Sequence, residues 1–217
     1  MINIDKQIVF LGKPGAGKGT VAAEIAKQYG LIHVSTGNIF REEIASKSKL
    51  GLKVVSIVES GQYVPDDITN EIVRKKINSL LQDKKTFMLD GFPRTEEQAK
   101  FLDTIDNLKY NVVMLDVSQE LIIKRLSGRR QCPNCQANYH IYFKPSKVEN
   151  ICDLCNHELT KRKDDSEESI KTRLQLYDEQ TKTVIDYYKN KNNLFVVDGS
   201  LEPNEITKII MNKLYNK

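Results

Sequence analysis

Several things are missing from this chain, and each shortage closes off a class of function. No apolar run approaches the roughly 18 residues that a membrane span needs. The opening Met1-Ile2-Asn3-Ile4-Asp5-Lys6 lacks the charged, apolar and small-residue zones of a secretory leader, so the cytosol is the expected compartment. Charge of one sign is nowhere blocked: a net +4 is scattered over 217 residues, which suits anionic small molecules and does not argue for nucleic acid. There is no internal repeat and no low-complexity tail. Arginine is scarce as well, with 8 residues against 25 lysines. Lysine does the surface work, so the few arginines mark places where a guanidinium fork is wanted to grip phosphate bidentately.

The material that remains is that of a globular protein. Hydrophobic residues make up 40% and charged residues 29%, enough for one domain of ordinary size with an insertion or two. Apolar runs at Gln7–Gly12, Leu31–Ser35, Thr86–Asp90, Asn111–Asp116 and Leu194–Asp198 read as strands. Helical patterns lie between them at Lys18–Tyr29, Gly37–Ser46, Leu50–Ser60, Asp66–Leu81, Thr95–Asn107, Gln119–Gly128, Glu167–Asn190 and Pro203–Tyr215. Alternation of this kind predicts a five-stranded parallel sheet wrapped by helices on both faces, with ligands beyond the carboxyl ends of the strands. Gly12, Ser35, Asp90 and Asp198 fall at those ends. Two segments interrupt the alternation, one between Ser35 and Thr86 and one between Arg129 and Lys163, and both read as excursions covering the ligand edge.

The first strand runs straight into Gly12-Lys13-Pro14-Gly15-Ala16-Gly17-Lys18-Gly19-Thr20. A buried strand, a glycine turn and a helix start in this order form a phosphate-binding loop. Backbone N–H groups and the positive end of the helix meet at one spot, Lys18 adds a mobile charge and Thr20 a hydroxyl for Mg²⁺. Gly19 stands between the lysine and the hydroxyl residue, which narrows the family. A glycine-rich turn without a ligand is the rival reading.

All four cysteines fall in the second excursion, as Cys132-Pro133-Asn134-Cys135, sixteen residues, and Cys152-Asp153-Leu154-Cys155. Two C-x2-C knuckles at this spacing predict one tetrahedral metal. A cytosolic setting disfavours disulfides as the alternative. The 35 residues from Arg129 to Lys163 are too few to fold on a core of their own, so a metal is expected to do it. Four thiolates leave no open position, which makes the metal structural; zinc and iron both suit such a set. His140 and His157 are expected to be surface or packing residues rather than ligands.

The arginines converge on the same edge. Asp90 ends a buried strand and Arg94 follows in Leu89-Asp90-Gly91-Phe92-Pro93-Arg94; Arg41 follows Ser35-Thr36-Gly37-Asn38. Arg125, Arg129 and Arg130 flank one end of the cysteine excursion, and Arg162 and Arg173 the other. Only Arg74, on a helical face, looks like an ordinary surface charge.

With the loop, Ser35-Thr36-Gly37, Asp90-Gly91-Phe92-Pro93-Arg94, Gly128-Arg129-Arg130 and Arg162-Lys163-Asp164-Asp165 in this order, essentially the whole chain resembles the adenylate kinases, in the long form with a zinc-bearing lid. The resemblance implies the P-loop nucleoside monophosphate kinase fold with two inserted covering domains. Residues 1–34, 65–127 and 165–217 would form the core, 35–64 the AMP-binding insertion and 128–164 the lid. It implies ATP on Gly15, Ala16, Gly17, Lys18, Gly19, Thr20, Arg125 and Arg129, with Asn138, Tyr139 and Leu201 nearby. AMP would lie on Thr36, Arg41, Gln62, Tyr63, Val64, Gly91, Phe92, Pro93, Arg94 and Gln98, with Arg162 and Arg173 bridging both nucleotides. Lys18, Asp90, Arg94, Arg129, Arg162 and Arg173 would then be catalytic, Mg²⁺ would accompany ATP, and Cys132, Cys135, Cys152 and Cys155 would hold structural Zn²⁺. The implied reaction is Mg·ATP plus AMP giving two ADP, by a monomer with no nucleic-acid or membrane partner. Asp164 and Asp165 are open between holding lid arginines, holding Mg²⁺ waters and favouring the next helix's N-terminus.

Three positions depart from the family pattern: Lys13 replaces a small residue, Asn38 replaces an aspartate, and Leu201 leaves contacts with the base to backbone groups. Two rival functions follow. Another monophosphate kinase would share the core, although Gln98 and the full-length lid favour AMP. A zinc-ribbon module binding nucleic acid or protein on a P-loop scaffold would need Tyr139, Tyr142, Phe143, Lys144 and Lys147 to face outward.

Overall fold

The computed structural model describes residues 4–215. The chain enters through β1 (Gln7–Leu11), α1 (Lys18–Tyr29) and β2 (Ile32–Ser35). Three helices follow, α2 (Thr36–Ala45), α3 (Lys49–Glu59) and α4 (Asp66–Gln82), before β3 (Phe87–Asp90) and α5 (Glu96–Asp103). Next come β4 (Tyr110–Asp116), α6 (Gln119–Ser127) and a short antiparallel pair, β5 (Arg129–Gln131) and β6 (Asn138–His140). The chain closes with α7 (Glu167–Leu176), α8 (Lys182–Asn190), β7 (Leu194–Asp198) and α9 (Pro203–Tyr215).

The five long-range strands are parallel, in the order β2-β3-β1-β4-β7, as the alternation predicts. Every residue of the central β1 is buried, because helices cover both faces. Its period-two geometry splits the core. Ile8 and Phe10 pack on one side with Ile25 of α1, Leu126 of α6 and Ile210 of α9. Val9 and Leu11 pack on the other with Ile77 of α4, Leu102 of α5 and Tyr188 of α8. Truncating one such side chain, Ile25 for example, costs about 2–5 kcal/mol because the close-packed sheet cannot collapse into the hole. The register sets the ligand edge: Ser35 and Phe10 both pair with Asp90, and Asp116 pairs with Asp198.

Both excursions have small cores of their own. Phe40, Val54 and Val64 are buried together in the first. In the second, Cys132, Tyr139, Cys152 and Leu159 are buried under the β5–β6 hairpin. No helix among the described residues is long and apolar enough to cross a membrane.

Three elements differ from the sequence reading. The helix expected over Thr95–Asn107 ends at Asp103, and Asn107 takes a left-handed turn (φ 61) into β4. Thr95 is its N-cap, accepting the Gln98 N–H. The second excursion carries a strand pair too short to show a period. The helix expected over Glu167–Asn190 is interrupted by a π turn at Tyr177–Thr181.

Candidate active site

The phosphate loop is shaped by left-handed glycines, Gly15 (φ 85) and Gly17 (φ 98), conformations that cost an L side chain dearly. Gly17 is the N-cap of α1 and brings no side-chain cap, so the helix's opening N–H groups are left to a ligand. Lys18 folds back over the loop, donating from Nζ to the carbonyls of Gly12 (2.7 Å) and Lys13 (3.0 Å). Burial pushes its pKa down to about 8; Asp90 opposes this, and the charges of Arg94, Arg173 and Arg129 add to it.

Asp90 meets Lys18 from the end of β3. Burial would raise its pKa, but the His33 bond (Nε2 to Oδ2, 3.3 Å) and the charges of Lys18 and Arg94 hold the carboxyl ionised, down at about 2. Gly19 explains its own place in the loop: a Cβ there would touch Asp90 Oδ2 at 3.4 Å, so a long side chain would stand between the helix and the carboxylate.

Around this pair the arginines gather. Arg162 forks onto Asp164 (2.9 and 2.5 Å), and Arg173 bridges Asp164 and Asp165, each at 3.2 Å. Arg129 pairs with Asp165, whose side chain is wholly buried. Arg41 bonds the Asn38 side chain (2.5 Å), while its buried Nε has no hydrogen-bond partner among the described residues. Six cations, Lys18 and Arg41, Arg94, Arg129, Arg162 and Arg173, thus share a cleft with three carboxylates, Asp90, Asp164 and Asp165. Burial first and then neighbouring arginines press Arg41 down to about 9. Arg173 falls to about 10, through burial and the charges of Arg129 and Arg162 against the pull of Asp164. An excess of desolvated positive charge at the head of a phosphate loop is relieved by polyphosphate.

Comparison with known proteins decides what kind of cleft this is. A family model described as adenylate kinase matches residues 10–193. An adenylate kinase of Mycoplasma mobile is 48% identical over 214 residues, covering 97% of this chain and 99% of the relative. That of Mycoplasmopsis pulmonis is 48% identical over 210 residues, covering 96% and 98%. That of Clostridium tetani is 47% identical over 212 residues, covering 95% and 97%. The chain belongs to the adenylate kinase family. It is a phosphotransferase, and its reaction is reversible transfer from Mg·ATP to AMP, giving two ADP.

Within this adenylate kinase architecture the remaining sequence-picked residues take varied positions. Thr36 is buried and donates to the Gly91 carbonyl (2.9 Å), tying β2's exit to the loop after β3. Arg94 donates from Nε to the same carbonyl (2.8 Å), and its guanidinium lies over the Tyr63 ring at 5.0 Å. Gln98 is buried between the Arg94 N–H (2.8 Å) and Asp66 (2.7 Å). Gln62, Tyr63 and Val64 line the lip of a 450 Å³ cavity behind this loop. Phe92 turns away into the core against Phe101, so its share in a site is its backbone. Arg125 braces the loop from outside, donating to the carbonyls of Ala16 (3.1 Å) and Gly199 (2.8 Å). Ala16 is buried and Thr20 exposed. Leu201 packs at the margin of the first core. Arg74, read as a plain surface charge, lies over Phe101 at 4.5 Å.

In the second excursion, Asn138 accepts from Gln131 across the hairpin (3.1 Å). Tyr139 is buried, with its hydroxyl accepting from the Asp153 N–H (2.8 Å) beside Cys152 Sγ (3.5 Å). The outward aromatic face that the nucleic-acid reading needs therefore lacks Tyr139. The four cysteine sulfurs lie within 4.8 Å of one another, and no disulfide joins them. Cys132–Cys155 (3.4 Å) and Cys135–Cys152 (3.5 Å) approach as thiolates around one tetrahedral ion do, for which bonds of about 2.3 Å put sulfurs roughly 3.8 Å apart. This cluster can hold a metal ion. His140 packs, as expected, accepting the N–H groups of Tyr142 (3.0 Å) and Phe143 (3.1 Å) at Nδ1.

Two participants escaped the sequence reading. His33 was missed because its link to Asp90 depends on β2 lying next to β3. Its alternation with Ser35 on the same strand face was the available signal. Thr181, whose hydroxyl donates to the Arg94 carbonyl (2.9 Å), gave no signal at all.

Proposed function

We propose that the cleft holds two nucleotides end to end, with ATP phosphates on Gly15 to Thr20 and AMP phosphate between Arg41 and Arg94. Residues 35–64 and 128–164 close over them as AMP-binding insertion and lid. The observation that carries this is the cleft's imbalance of six cations against three carboxylates. The attacking phosphate oxygen is already anionic, so no general base is needed; positioning and charge neutralisation supply the catalysis. Arg162 and Arg173 sit between the halves and act on the transferred group, with Lys18 and Arg129 on the ATP side. Asp164 and Asp165 hold these arginines in register.

Mg²⁺ fits this arrangement, since Asp90 is held ionised at the loop's mouth as a hard oxygen donor. When bound with ATP it neutralises charge on the phosphates. The four-cysteine cluster fits Zn²⁺, which would fasten the lid without entering the chemistry. Four free thiols in one metal-ready cluster suit a reducing cytoplasm.

A coupled assay of ATP against AMP, GMP, CMP and UMP tests the acceptor. AMP is expected to be far the best, and CMP or UMP outpacing it would overturn the assignment.

A further inference from the structure

The helix after the lid is continuous in sequence pattern but not in its hydrogen bonds. At Tyr177–Thr181 it widens into a π turn, with the Lys182 N–H reaching the Tyr177 carbonyl five residues back. Such single wide turns are rare and gather at functional sites. One inserted residue rotates everything beyond it by roughly 100° about the helix axis. The question is what the rotation presents.

It presents Thr181, which is 4% exposed. Its hydroxyl donates to the Arg94 carbonyl at 2.9 Å and meets the Tyr63 hydroxyl at 3.0 Å. Arg94 is therefore clamped on both backbone sides, its N–H by Gln98 and its carbonyl by Thr181. The Tyr63 ring, under the Arg94 guanidinium, is fixed through the same hydroxyl. Three separate pieces of chain meet at one threonine: the exit of the first insertion, the loop after β3, and the helix that carries Arg173 two turns earlier.

We propose that Thr181 is a positioning residue for the AMP side of the reaction, setting the angle of Arg94 through its carbonyl and through Tyr63. The proposal rests on the reading of Arg94 as an AMP-phosphate ligand. Thr181 touches neither nucleotide; the π turn exists to bring it inward. An ordinary buried threonine satisfying two polar neighbours would affect stability alone, whereas a positioning residue separates the two substrates in kinetics.

Thr181→Val keeps the shape and loses both bonds. It is expected to raise KM for AMP about tenfold, as the loss of one or two buried hydrogen bonds does, while KM for Mg·ATP stays within about twofold. Thr181→Ser restores the hydroxyl and should return KM for AMP to near the parent value. Unchanged KM for AMP in Thr181→Val, or equal rises for both substrates, would overturn the proposal even if the melting temperature fell. Should the valine variant not fold, Thr181→Ala is subject to the same criteria. Arg94→Lys, assayed in parallel, distinguishes the underlying reading from this one. If it leaves KM for AMP untouched, the AMP assignment of Arg94 falls and the proposal with it. If it raises KM for AMP while Thr181→Val does not, only the positioning role falls.

Discussion

On the sheet side of the cleft, Asp90 ends β3, and Lys18 and Arg94 follow just beyond β1 and β3, strands whose register is fixed by apolar residues buried on both faces. On the side of the second excursion, Arg129, Arg162 and Arg173 are held by two carboxylates, and that excursion has a core of only four buried residues, two of them cysteines. The first half is prebuilt by hydrophobic burial, which is distributed and hard to undo. The second is held by ion pairs and thiols, which a ligand or a chelator can exchange. The contrast teaches where motion belongs. Under the proposed function, a phosphate arriving on the sheet side would find its partners in place, while Arg129, Arg162 and Arg173 would trade a carboxylate for a phosphate oxygen without unfolding anything.

The largest break in this comparison should come from removing the metal. One zinc per chain is expected on Cys132, Cys135, Cys152 and Cys155, and structural zinc contributes on the order of 10–16 kcal/mol in small peptides. Chelation should melt the lid separately and leave the sheet's own transition in place by calorimetry. Metal analysis finding no metal, or one transition that moves as a whole, would show that lid and core are not held separately. On the sheet side, Lys18→Met should reduce kcat by a factor on the order of 10³ by removing charge from the transferred group. Its melting temperature should hold or rise, because the substitution also removes a desolvated ammonium. Near-normal turnover would sink the loop assignment.

The division of forces also decides what was legible in sequence. Apolar runs announce buried strands, so the sheet, the loop and the strand-end residues Ser35 and Asp90 could be read directly. The cysteine spacing announced the metal-ready cluster, because ligand geometry is local. Distant partners were not legible: holding arginines stood as one of three readings of Asp164 and Asp165, and the pairing of Asp165 with Arg129 and of His33 with Asp90 depends on segments that meet only in the fold. The π turn was hidden for another reason. A one-residue insertion shifts the helical phase without disturbing the pattern of Glu167–Asn190 enough to show.

Arg162 sharpens the comparison from the lid side. Its fork lies on Asp164, and in the closed complex that fork is expected to turn to phosphate oxygens. Arg162→Lys keeps the charge and loses the bidentate geometry. It should lower kcat about 10²-fold with ATP affinity changed by no more than about threefold, since the interaction forms mainly in the transition state. Comparing kcat with the dissociation constant for ATP checks this. An unchanged kcat would confine Arg162 to its ion pair and leave closure to Arg129 and Arg173.

The smallest effect expected is one of pH, and it belongs to the sheet side alone. Lys18 in the free enzyme titrates at about 8, against an ordinary value of 10.5, because burial disfavours its charge. Two consequences of opposite sign follow. The unfolded chain holds this proton more tightly than the folded one, so stability of the free enzyme should rise with pH across the window from about 8 to 10.5. A bound triphosphate favours the charged lysine, so ATP affinity should fall as pH rises above about 8, by up to about tenfold per unit, with proton uptake on binding. Calorimetric titration in buffers of different ionisation heat measures that uptake directly. Lys18→Met should abolish it, whereas Arg162→Lys, on the lid side, should leave it intact. Uptake that survives Lys18→Met would place the titrating group elsewhere in the cleft.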